Sequence, residues 1–378
     1  MRSVKDVVAS GRPDYILLFI LMALLSVGFI MVFSASPALG MKFGDSLYYF
    51  KRHALHLLLG SVALAAGVKM DYRNLKKWSN LAIIAVISLL FLIFIPGFGR
   101  SAGGAVRWMD VFVIAFQPSE IAKIAVILYL ASLFSSWDYD KGGIPRLLAL
   151  SLLPVALIAY LVLKQPDLGT TLVIAGTTFV MFYMGGLKDR YLFFTAVIGS
   201  AVFLMLSFTS AYRFRRLIAF VDPWKVPRDA GFHIIQSLLA VGSGGLFGLG
   251  LGGSKQKFFY LPQHYTDFIY SILSEELGFI GAAGVIILFV LFVTRGIRIA
   301  RFAQDEFGRL LAGGIISWIA IQALLNLYVV TGMFPVTGIP LPFISFGGTA
   351  LVVTMFSVGV LLNISKSMIR PSAKEAAE

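Results

Sequence analysis

Asp267 stands at the start of a long apolar stretch, at a position where a carboxylate could act as a general base. Ser271, Ser274 and Gly278 follow it at helical spacing. These small and polar side chains share one helix face, which we expect to point into the protein rather than toward lipid. The alternative is that Asp267 caps free amides at a helix N-terminus and complements the helix dipole. Both roles are open from the residues alone.

Four more charged residues lie within apolar stretches. Glu120 and Lys123 are three residues apart, so they share a helix face and are close enough to pair. Glu275 and Glu276 lie two helical turns beyond Asp267. Ionisable residues within a membrane are costly, and each is therefore a functional candidate. For Glu120 and Lys123 the competing interpretation is a structural ion pair that allows both charges to lie inside a bundle.

Several familiar kinds of catalytic or cofactor site are excluded. The chain has no Cys, which rules out disulfides, zinc–thiolate sites, iron–sulfur clusters and thiol nucleophiles. The four His do not form a convincing metal set: His53 and His56 share a helix face, but no carboxylate stands at ligand spacing from that pair. The Gly-rich run 242–253 matches a dinucleotide pattern, but no βαβ unit surrounds it. We interpret this run as a site of close backbone approach or as a flexible re-entrant loop.

The elements that position these residues are membrane helices. Of 378 residues, 58% are hydrophobic and 13% are charged, against about 25% charged residues in a soluble domain. A soluble enzyme and a disordered chain are therefore excluded. We predict an all-α polytopic membrane protein, a bundle of about ten transmembrane helices that forms one domain over 1–378. The apolar stretches long enough to span a membrane lie near 15–35, 54–68, 79–96, 119–135, 147–163, 170–186, 191–209, 268–293, 310–330 and 345–363.

Charge sets the predicted orientation. Most of the 32 Lys and Arg lie in the tails and in alternate short loops, and the positive-inside rule then places the tails 1–14 and 364–378 in the cytoplasm. A large extracytoplasmic loop, about 210–267, separates helices 7 and 8 and is itself basic. The formal net charge of +13 is thus explained mainly by topology, not by nucleic acid binding. The basic outer loop indicates either an anionic lipid surface or an anionic substrate.

A proline- and glycine-rich segment, 338–348, precedes the last predicted span. Pro340, Pro342, Gly347 and Gly348 break a helix at this point. Non-helical backbone at membrane depth must be buried or must line a cavity. Broken helices also mark the binding sites of transporters, so this segment supports a transport function as an alternative to catalysis.

Short motifs in a fixed order resemble the SEDS family of shape, division and sporulation proteins, which includes FtsW, RodA and SpoVE. In chain order they are Tyr49-Phe50-Lys51-Arg52, Arg107-Trp108, Gln117-Pro118-Ser119-Glu120-Ile121-Ala122-Lys123, Gln165-Pro166-Asp167-Leu168-Gly169-Thr170, Tyr212-Arg213 with Arg216, Asp222-Pro223-Trp224, Ile235-Gln236-Ser237, Thr266-Asp267-Phe268-Ile269, Glu275-Glu276-Leu277-Gly278 and Pro340-Leu341-Pro342-Phe343-Ile344-Ser345.

Some motifs distinguish branches of the family or depart from its pattern. The stretches 222–225 and 252–262 are more similar to the FtsW and SpoVE branch, whereas 335–340 also suits RodA. Tyr265 stands where a His usually precedes Thr-Asp, and Gln263 stands where Glu is common. Phe346 replaces the more usual Tyr of the motif after Ser345. These departures weaken a catalytic role for the flanking side chains, but not for Asp267.

The resemblance implies a peptidoglycan glycosyltransferase that polymerises lipid II, an undecaprenyl-pyrophosphate-linked substrate, at the outer leaflet of the bacterial cytoplasmic membrane. It also implies a class B penicillin-binding protein as the crosslinking partner, together with divisome or elongasome proteins. The family's essential acid corresponds to Asp267. The substrate-binding positions that the motifs imply are Arg52, Trp108, Glu120, Lys123, Arg213, Arg216, Thr266 and Ser345.

On this resemblance, Asp267 is expected to be the general base of an inverting sugar transfer. One carboxylate can suffice because the lipid pyrophosphate is already a good leaving group, unlike the leaving groups of hydrolases that use paired carboxylates. Arg52, Lys123, Arg213 and Arg216 are candidates to stabilise the pyrophosphate charge. No metal ligands are assigned, although a divalent cation, Mg²⁺ or Mn²⁺, is a candidate cofactor.

Two other functions compete with catalysis. A lipid II flippase is supported by the multispan bundle, the broken segment and the Glu120–Lys123 pair. Against it, Asp267 lies at the outer face, whereas transport sites usually lie near the midplane, and no internal repeat is evident. A non-catalytic scaffold that recruits a penicillin-binding protein is the third possibility, and it would not require Asp267.

Overall fold

The protein is described by a computed structural model. The structure describes residues 11–368 apart from 103–104, 112–113, 139–141, 209–210, 228–229 and 259. Most of the two predicted cytoplasmic tails therefore lies outside the described residues.

Helices account for most of the described chain. Those longer than one turn are α1 (Tyr15–Ala35), α2 (Tyr48–Lys69), α3 (Tyr72–Leu92), α4 (Pro118–Ser135), α5 (Ile144–Lys164), α6 (Leu168–Met184), α7 (Asp189–Phe208), α8 (Ala211–Val221), α9 (Ala230–Ser243), α10 (Ile269–Arg301), α11 (Glu306–Val330) and α12 (Gly348–Lys366). Every predicted span overlaps one of these helices. Seven of the helices in the described part are long and apolar enough to cross a membrane by length and composition. The count of about ten spans stays a prediction.

Three short antiparallel strands join α3 to α4, and the sequence did not predict them. They are β1 (Gly99–Ala102), β2 (Ala105–Val111) and β3 (Ile114–Phe116), arranged in the order β1-β2-β3. Arg100 of β1 pairs with Trp108 of β2. Strands this short give only a weak periodic signal beside the long apolar stretches on either side. β2 carries Arg107 and Trp108, and β3 ends directly before α4.

The core is built around α4, α11 and α12. In the most apolar stretch of α4, 72% of the residues are buried, against 22% in that of α3. α4 packs on α3, α11, α6 and α12, while α12 packs along α2. Polar residues at the start of α4 are therefore placed inside the protein rather than in lipid or water.

The predicted outer loop 210–267 is not an irregular connection. It contains α8, which is strongly amphipathic and carries Arg213, Arg215 and Arg216, and the apolar α9. An amphipathic basic helix of this kind is typical of a membrane surface. The loop's placement outside the cell stays a prediction.

Two breaks interrupt the regular helices, one of them expected. The segment 331–347 between α11 and α12 is non-helical, and most of its apolar side chains are buried, as the Pro and Gly pattern predicted. The second break lies at Gly278 within α10, where φ is 66° and ψ is −168°. The predicted continuous face from Asp267 through Gly278 is therefore wrong at its far end, because the helix is interrupted there.

Candidate functional site

Asp267 lies in the loop immediately before α10, and it does not cap that helix. The helix begins at Ile269 with Phe268 at the N-cap position, and no side chain caps it. The carboxylate is instead directed at the broken segment. A Cβ placed on Gly338, where φ is 75°, would lie 3.5 Å from Oδ2 of Asp267. The capping role considered from the sequence is therefore wrong, and the carboxylate is available for other contacts.

Hydrogen bonds to the backbone fix Asp267 against the broken segment. Nδ2 of Asn326, on α11, donates to the carbonyl oxygens of Asp267 and Ile339, both at 2.7 Å. Ser345 Oγ donates to the carbonyl oxygen of Thr266 at 2.6 Å and accepts from the amide of Leu341 at 2.8 Å. Since these bonds join backbone groups of both segments, the position of Asp267 depends on the path of the broken segment.

The pKa of Asp267 reflects opposing influences. The pKa of the carboxyl is raised from 3.8 to about 6, and burial is the largest cause. The guanidinium groups of Arg216 and Arg107 lower this pKa, whereas the carboxylate of Asp167 raises it. A base with a pKa near 6 is ionised at neutral pH and still able to accept a proton.

Both arginines are oriented by carbonyl oxygens of loops next to Asp267. Arg107 Nε donates to the carbonyl oxygen of Gln165 at 2.8 Å, and its Nη2 donates to that of Pro166. Arg216 Nη1 donates to the carbonyl oxygen of Val336 at 2.6 Å. Residues from β2, α8 and the broken segment thus converge on one site.

Two residues of this site, Arg107 and Asp167, belong to the family motifs but were not predicted as site residues. Arg107 immediately precedes the predicted Trp108, and Asp167 lies between α5 and α6. The Asp167 carboxylate accepts hydrogen bonds from Thr170, through the amide and the hydroxyl (both 3.0 Å), and from Gln117 Nε2 (3.2 Å). Asp167 therefore caps α6, and its charge acts on Asp267 through space. Only spatial proximity connects these two residues to Asp267.

Arg213 and Arg216 lie one helical turn apart on α8. Arg213 Nη2 donates to the carbonyl oxygen of Leu163, near the end of α5, at 3.3 Å. Leu163 is two residues from Gln165, which holds Arg107. Arg213 therefore lies near the same end of α5 as Arg107.

Glu120 and Lys123 form a buried ion pair of 2.7 Å between Nζ and Oε2, with 4% and 3% of the two side chains exposed. Lys123 Nζ also donates to Gln322 Oε1 at 2.8 Å and lies 5.0 Å from the ring centre of Trp318. Gln322 Nε2 donates to the carbonyl oxygen of Pro340 at 3.0 Å. The Gln322 side chain thus connects the pair to the broken segment. Gln322 and Pro340 also line a small pocket, together with Ser345 and Thr354.

Two more of the predicted site residues, Arg52 and Trp108, have no direct polar contact with Asp267 in the described part of the chain. Arg52 is exposed near the start of α2, with its guanidinium 4.5 Å from the ring centre of Tyr48. Trp108 is half-buried on β2. Within the described part of the chain, neither side chain forms a hydrogen bond or ion pair with Asp267. Their assignment to the substrate site stays a prediction.

The donor set around Asp267 does not match a preformed metal site. Among the residues that the structure describes, no group of three or more His, Asp or Glu could hold a metal ion. Both oxygens of Asp167, the nearby carboxylate, already accept hydrogen bonds from Thr170 and Gln117. A divalent cation that accompanies the substrate stays a prediction, and no step of the mechanism is assigned to it.

Comparison with known proteins identifies relatives along nearly the whole chain. A family model described as "Cell cycle protein", that of FtsW, RodA and SpoVE, matches residues 15–369. Stage V sporulation protein E of Bacillus subtilis (strain 168) is 44% identical over 361 residues, covering 94% of this chain and 97% of that protein. A probable peptidoglycan glycosyltransferase FtsW of Geobacter sp. (strain M18) is 43% identical, with the same coverage.

Solved structures share the fold. A chain from "Structural coordination of polymerization and crosslinking by a peptidoglycan synthase complex" is 28% identical with a TM-score of 0.79, over 95% of this chain and 99% of that chain. The crystal structure of Thermus thermophilus RodA is 28% identical with a TM-score of 0.69, over 95% and 98%. These neighbours confirm the predicted all-α polytopic membrane fold. As the motifs predicted, the chain belongs to the FtsW/RodA/SpoVE family of cell cycle proteins.

Proposed function

We propose that this protein is a peptidoglycan glycosyltransferase that polymerises lipid II into glycan strands at the outer leaflet of the bacterial cytoplasmic membrane. The observation that carries this proposal is a carboxylate, Asp267, that caps no helix and lies within the electrostatic influence of two guanidinium groups. The names of the FtsW relatives support the reaction class.

Asp267 acts as the general base. A GlcNAc hydroxyl of the acceptor is a poor nucleophile until its proton is removed, and a carboxylate within hydrogen-bond reach accepts that proton as the bond forms. The hydroxyl oxygen attacks the anomeric carbon of the donor sugar from the face opposite the pyrophosphate. The bond from that carbon to the pyrophosphate oxygen breaks, the configuration inverts, and the lipid pyrophosphate leaves with the electron pair.

Positive charge near Asp267 stabilises the departing pyrophosphate. Preorganised donors are effective because they need no rearrangement as charge develops, and Arg107 and Arg216 are already oriented by carbonyl oxygens. Arg213 and Arg52 are further candidates, whereas Lys123, which the sequence also suggested, is placed differently. Because Lys123 is buried and paired with Glu120, we expect it to support the broken segment rather than to approach the pyrophosphate.

The cellular setting is part of the same proposal. Both termini lie in the cytoplasm, and the loop before α10 faces outward, where lipid II is displayed. A class B penicillin-binding protein supplies the crosslinking activity within the division, elongation or sporulation machinery. The structural neighbour from a peptidoglycan synthase complex, which coordinates polymerization and crosslinking, supports such a partner.

Purified protein incubated with lipid II in detergent, with and without its cognate class B synthase, tests the proposal. Glycan polymer on a product gel requires an enzyme, whereas a flippase or a scaffold makes none. We expect Asp267→Asn to reduce the rate by 100-fold or more, because it keeps the shape and removes the base. Asp110→Asn, which neutralises an exposed acid on β2, serves as the matched control. A folded Asp267→Asn protein with the wild-type rate would show that the base assignment is wrong.

A further inference from the structure

The break in α10 is filled by backbone from the Gly-rich run. The amides of Leu249 and Gly250 donate to the carbonyl oxygens of Glu275 and Glu276, both at 3.0 Å. In return, the amide of Phe279 donates to the carbonyl oxygen of Gly245 at 2.8 Å. The break lies nine residues after the start of α10, which is roughly 14 Å along a helix axis. Backbone groups that the break releases at this depth therefore find partners within the protein, as a membrane interior requires.

An ion pair lies immediately before this break. Lys257 Nζ is 2.9 Å from Oε1 of Glu276, and the two side chains are 8% and 0% exposed. Ser34 Oγ, at the end of α1, lies 2.7 and 2.6 Å from the two carboxylate oxygens of Glu276. We call Ser34, Lys257 and Glu276 the latch. It joins the end of α1 to two parts of the chain that lie more than 220 residues later.

The neighbouring carboxylate, that of Glu275, binds the loop residues just before Lys257. Glu275 accepts hydrogen bonds from Ser254 Oγ at 2.5 Å and from the amides of Lys255 and Gln256 at 3.0 and 3.4 Å. The loop 254–257 is therefore held by two neighbouring side chains of α10, Glu275 at residues 254–256 and Glu276 at Lys257.

The loop that begins at the latch ends at Asp267. Between them, His264 Nε2 lies 3.0 Å from the carbonyl oxygen of Ala35, the residue after Ser34. At the far end, Ser345 holds the carbonyl oxygen of Thr266. The last residues of α1 thus contact both the latch and the stretch just before Asp267. We call the described residues of the loop 257–267, all but residue 259, the strap, and both its ends are fixed.

We infer that Lys257 and Glu276 are positioning residues, which hold the strap 257–267 so that the Asp267 carboxylate stays beside Arg107 and Arg216. This inference rests on the proposed function of Asp267. Removing one partner of a buried ion pair leaves the other charge uncompensated, which a protein interior tolerates poorly. The uncompensated charge therefore favours displacement of the strap, even where the helices stay assembled.

Kinetics of Lys257→Met tests the inference, with Lys255→Met as the matched control. Both variants remove one positive charge, but the Lys255 side chain is exposed. In the described part of the chain, Lys255 contacts Glu275 only through its backbone amide. We expect Lys257→Met to lower kcat at least tenfold with KM for lipid II within threefold of wild type, and Lys255→Met to match wild type. Equal kcat in Lys257→Met and wild type would overturn the inference.

The pH profile distinguishes positioning from a general loss of folded protein. A strap that leaves its place loses the burial that raises the pKa of Asp267, together with the smaller influences of Arg216, Arg107 and Asp167, so the midpoint of the rate profile should fall in Lys257→Met. A smaller amount of correctly assembled protein would lower the rate and leave the midpoint unchanged. That second outcome counts against the inference.

Chemical labelling reports the strap directly, because the chain contains no Cys. Leu261 lies on the strap and is 0% exposed. We expect a Leu261→Cys protein to react with a maleimide at least tenfold faster when Lys257→Met is added, but not when Lys255→Met is added. Equal labelling rates in the two would overturn the inference.

Asp267→Asn, measured in parallel, separates the two proposals. An inactive Asp267→Asn with a fully active Lys257→Met leaves the general base in place and refutes the latch. A fully active Asp267→Asn refutes the general base, and the labelling experiment then decides alone whether the latch holds the strap.

Discussion

Two opposing influences set the pKa of the Asp267 carboxylate and make it suitable as a general base. Burial disfavours its charged form, while Arg107 and Arg216 favour it, and the result is a pKa of about 6. A fully exposed Asp would be a weaker base, and an Asp in a close ion pair would release its proton too readily. Neither guanidinium needs to touch the carboxylate for this effect, because the medium around the site has a lower dielectric constant than water.

The pH dependence of the rate follows from this pKa. Because the folded-state pKa is raised, Asp267 becomes protonated below about pH 6 and can no longer accept the acceptor's proton. We expect the polymerisation rate to fall about tenfold per pH unit below that midpoint and to level off above pH 7. Initial rates of purified protein between pH 4.5 and 8 measure this profile. In Arg107→Gln the midpoint should move upward, and a rate independent of pH from 4.5 to 7 would contradict the assignment.

At the scale of the elements, α10 is made of two helical parts joined at Gly278. Its positive φ suits Gly, and an added Cβ would lie 2.3 Å from the amide nitrogen of Gly248. Gly248 also has a positive φ, of 80°. The Gly-rich run is thus neither a dinucleotide loop nor merely flexible, since it supplies hydrogen-bond partners to the broken helix. Close backbone approach, one of the two interpretations open from the sequence, is correct.

Gly278→Ala is expected to destabilise the protein strongly, because it combines a disfavoured φ with a clash against backbone. We expect its thermal unfolding midpoint in detergent to drop by at least 5 °C. Gly284→Ala is the matched control on the same helix, since a Cβ there meets nothing within 4 Å. Similar unfolding midpoints for the two variants would show that the break is not constrained by its contact with Gly248.

At the scale of the whole molecule, the scarce buried charges join distant segments. The Glu120–Lys123 pair connects α4 through Gln322 of α11 to Pro340 in the broken segment. The latch connects α1, the strap and α10. Each set therefore holds segments that are distant in sequence against one another.

Substituting one partner of the Glu120–Lys123 pair should lower the stability of the protein more than substituting both. Lys123→Met leaves the Glu120 carboxylate buried without its partner, and we expect it to lower stability by about 3–5 kcal/mol. The double variant Glu120→Leu/Lys123→Met removes both charges and should be closer to wild type in stability. Unfolding by denaturant in detergent measures both. If the double variant loses as much stability as the sum of the two single variants, the two side chains have no coupling energy and the expectation is wrong.

The sequence by itself determined the class of protein, the approximate positions of the helices, the non-helical segment before α12 and the identity of Asp267 as the candidate acid. Each depends on local composition or on motifs in order along the chain, and hydropathy at the scale of 20 residues is enough to locate a helix in a membrane. The tertiary structure decided what surrounds Asp267. Arg107, Asp167 and Asn326 lie between 59 and 160 residues away in sequence, and no periodic pattern connects them to it. Their meeting, like the docking of the Gly-rich run into α10, depends on packing between helices and on hydrogen bonds that an interior without water must satisfy within the protein.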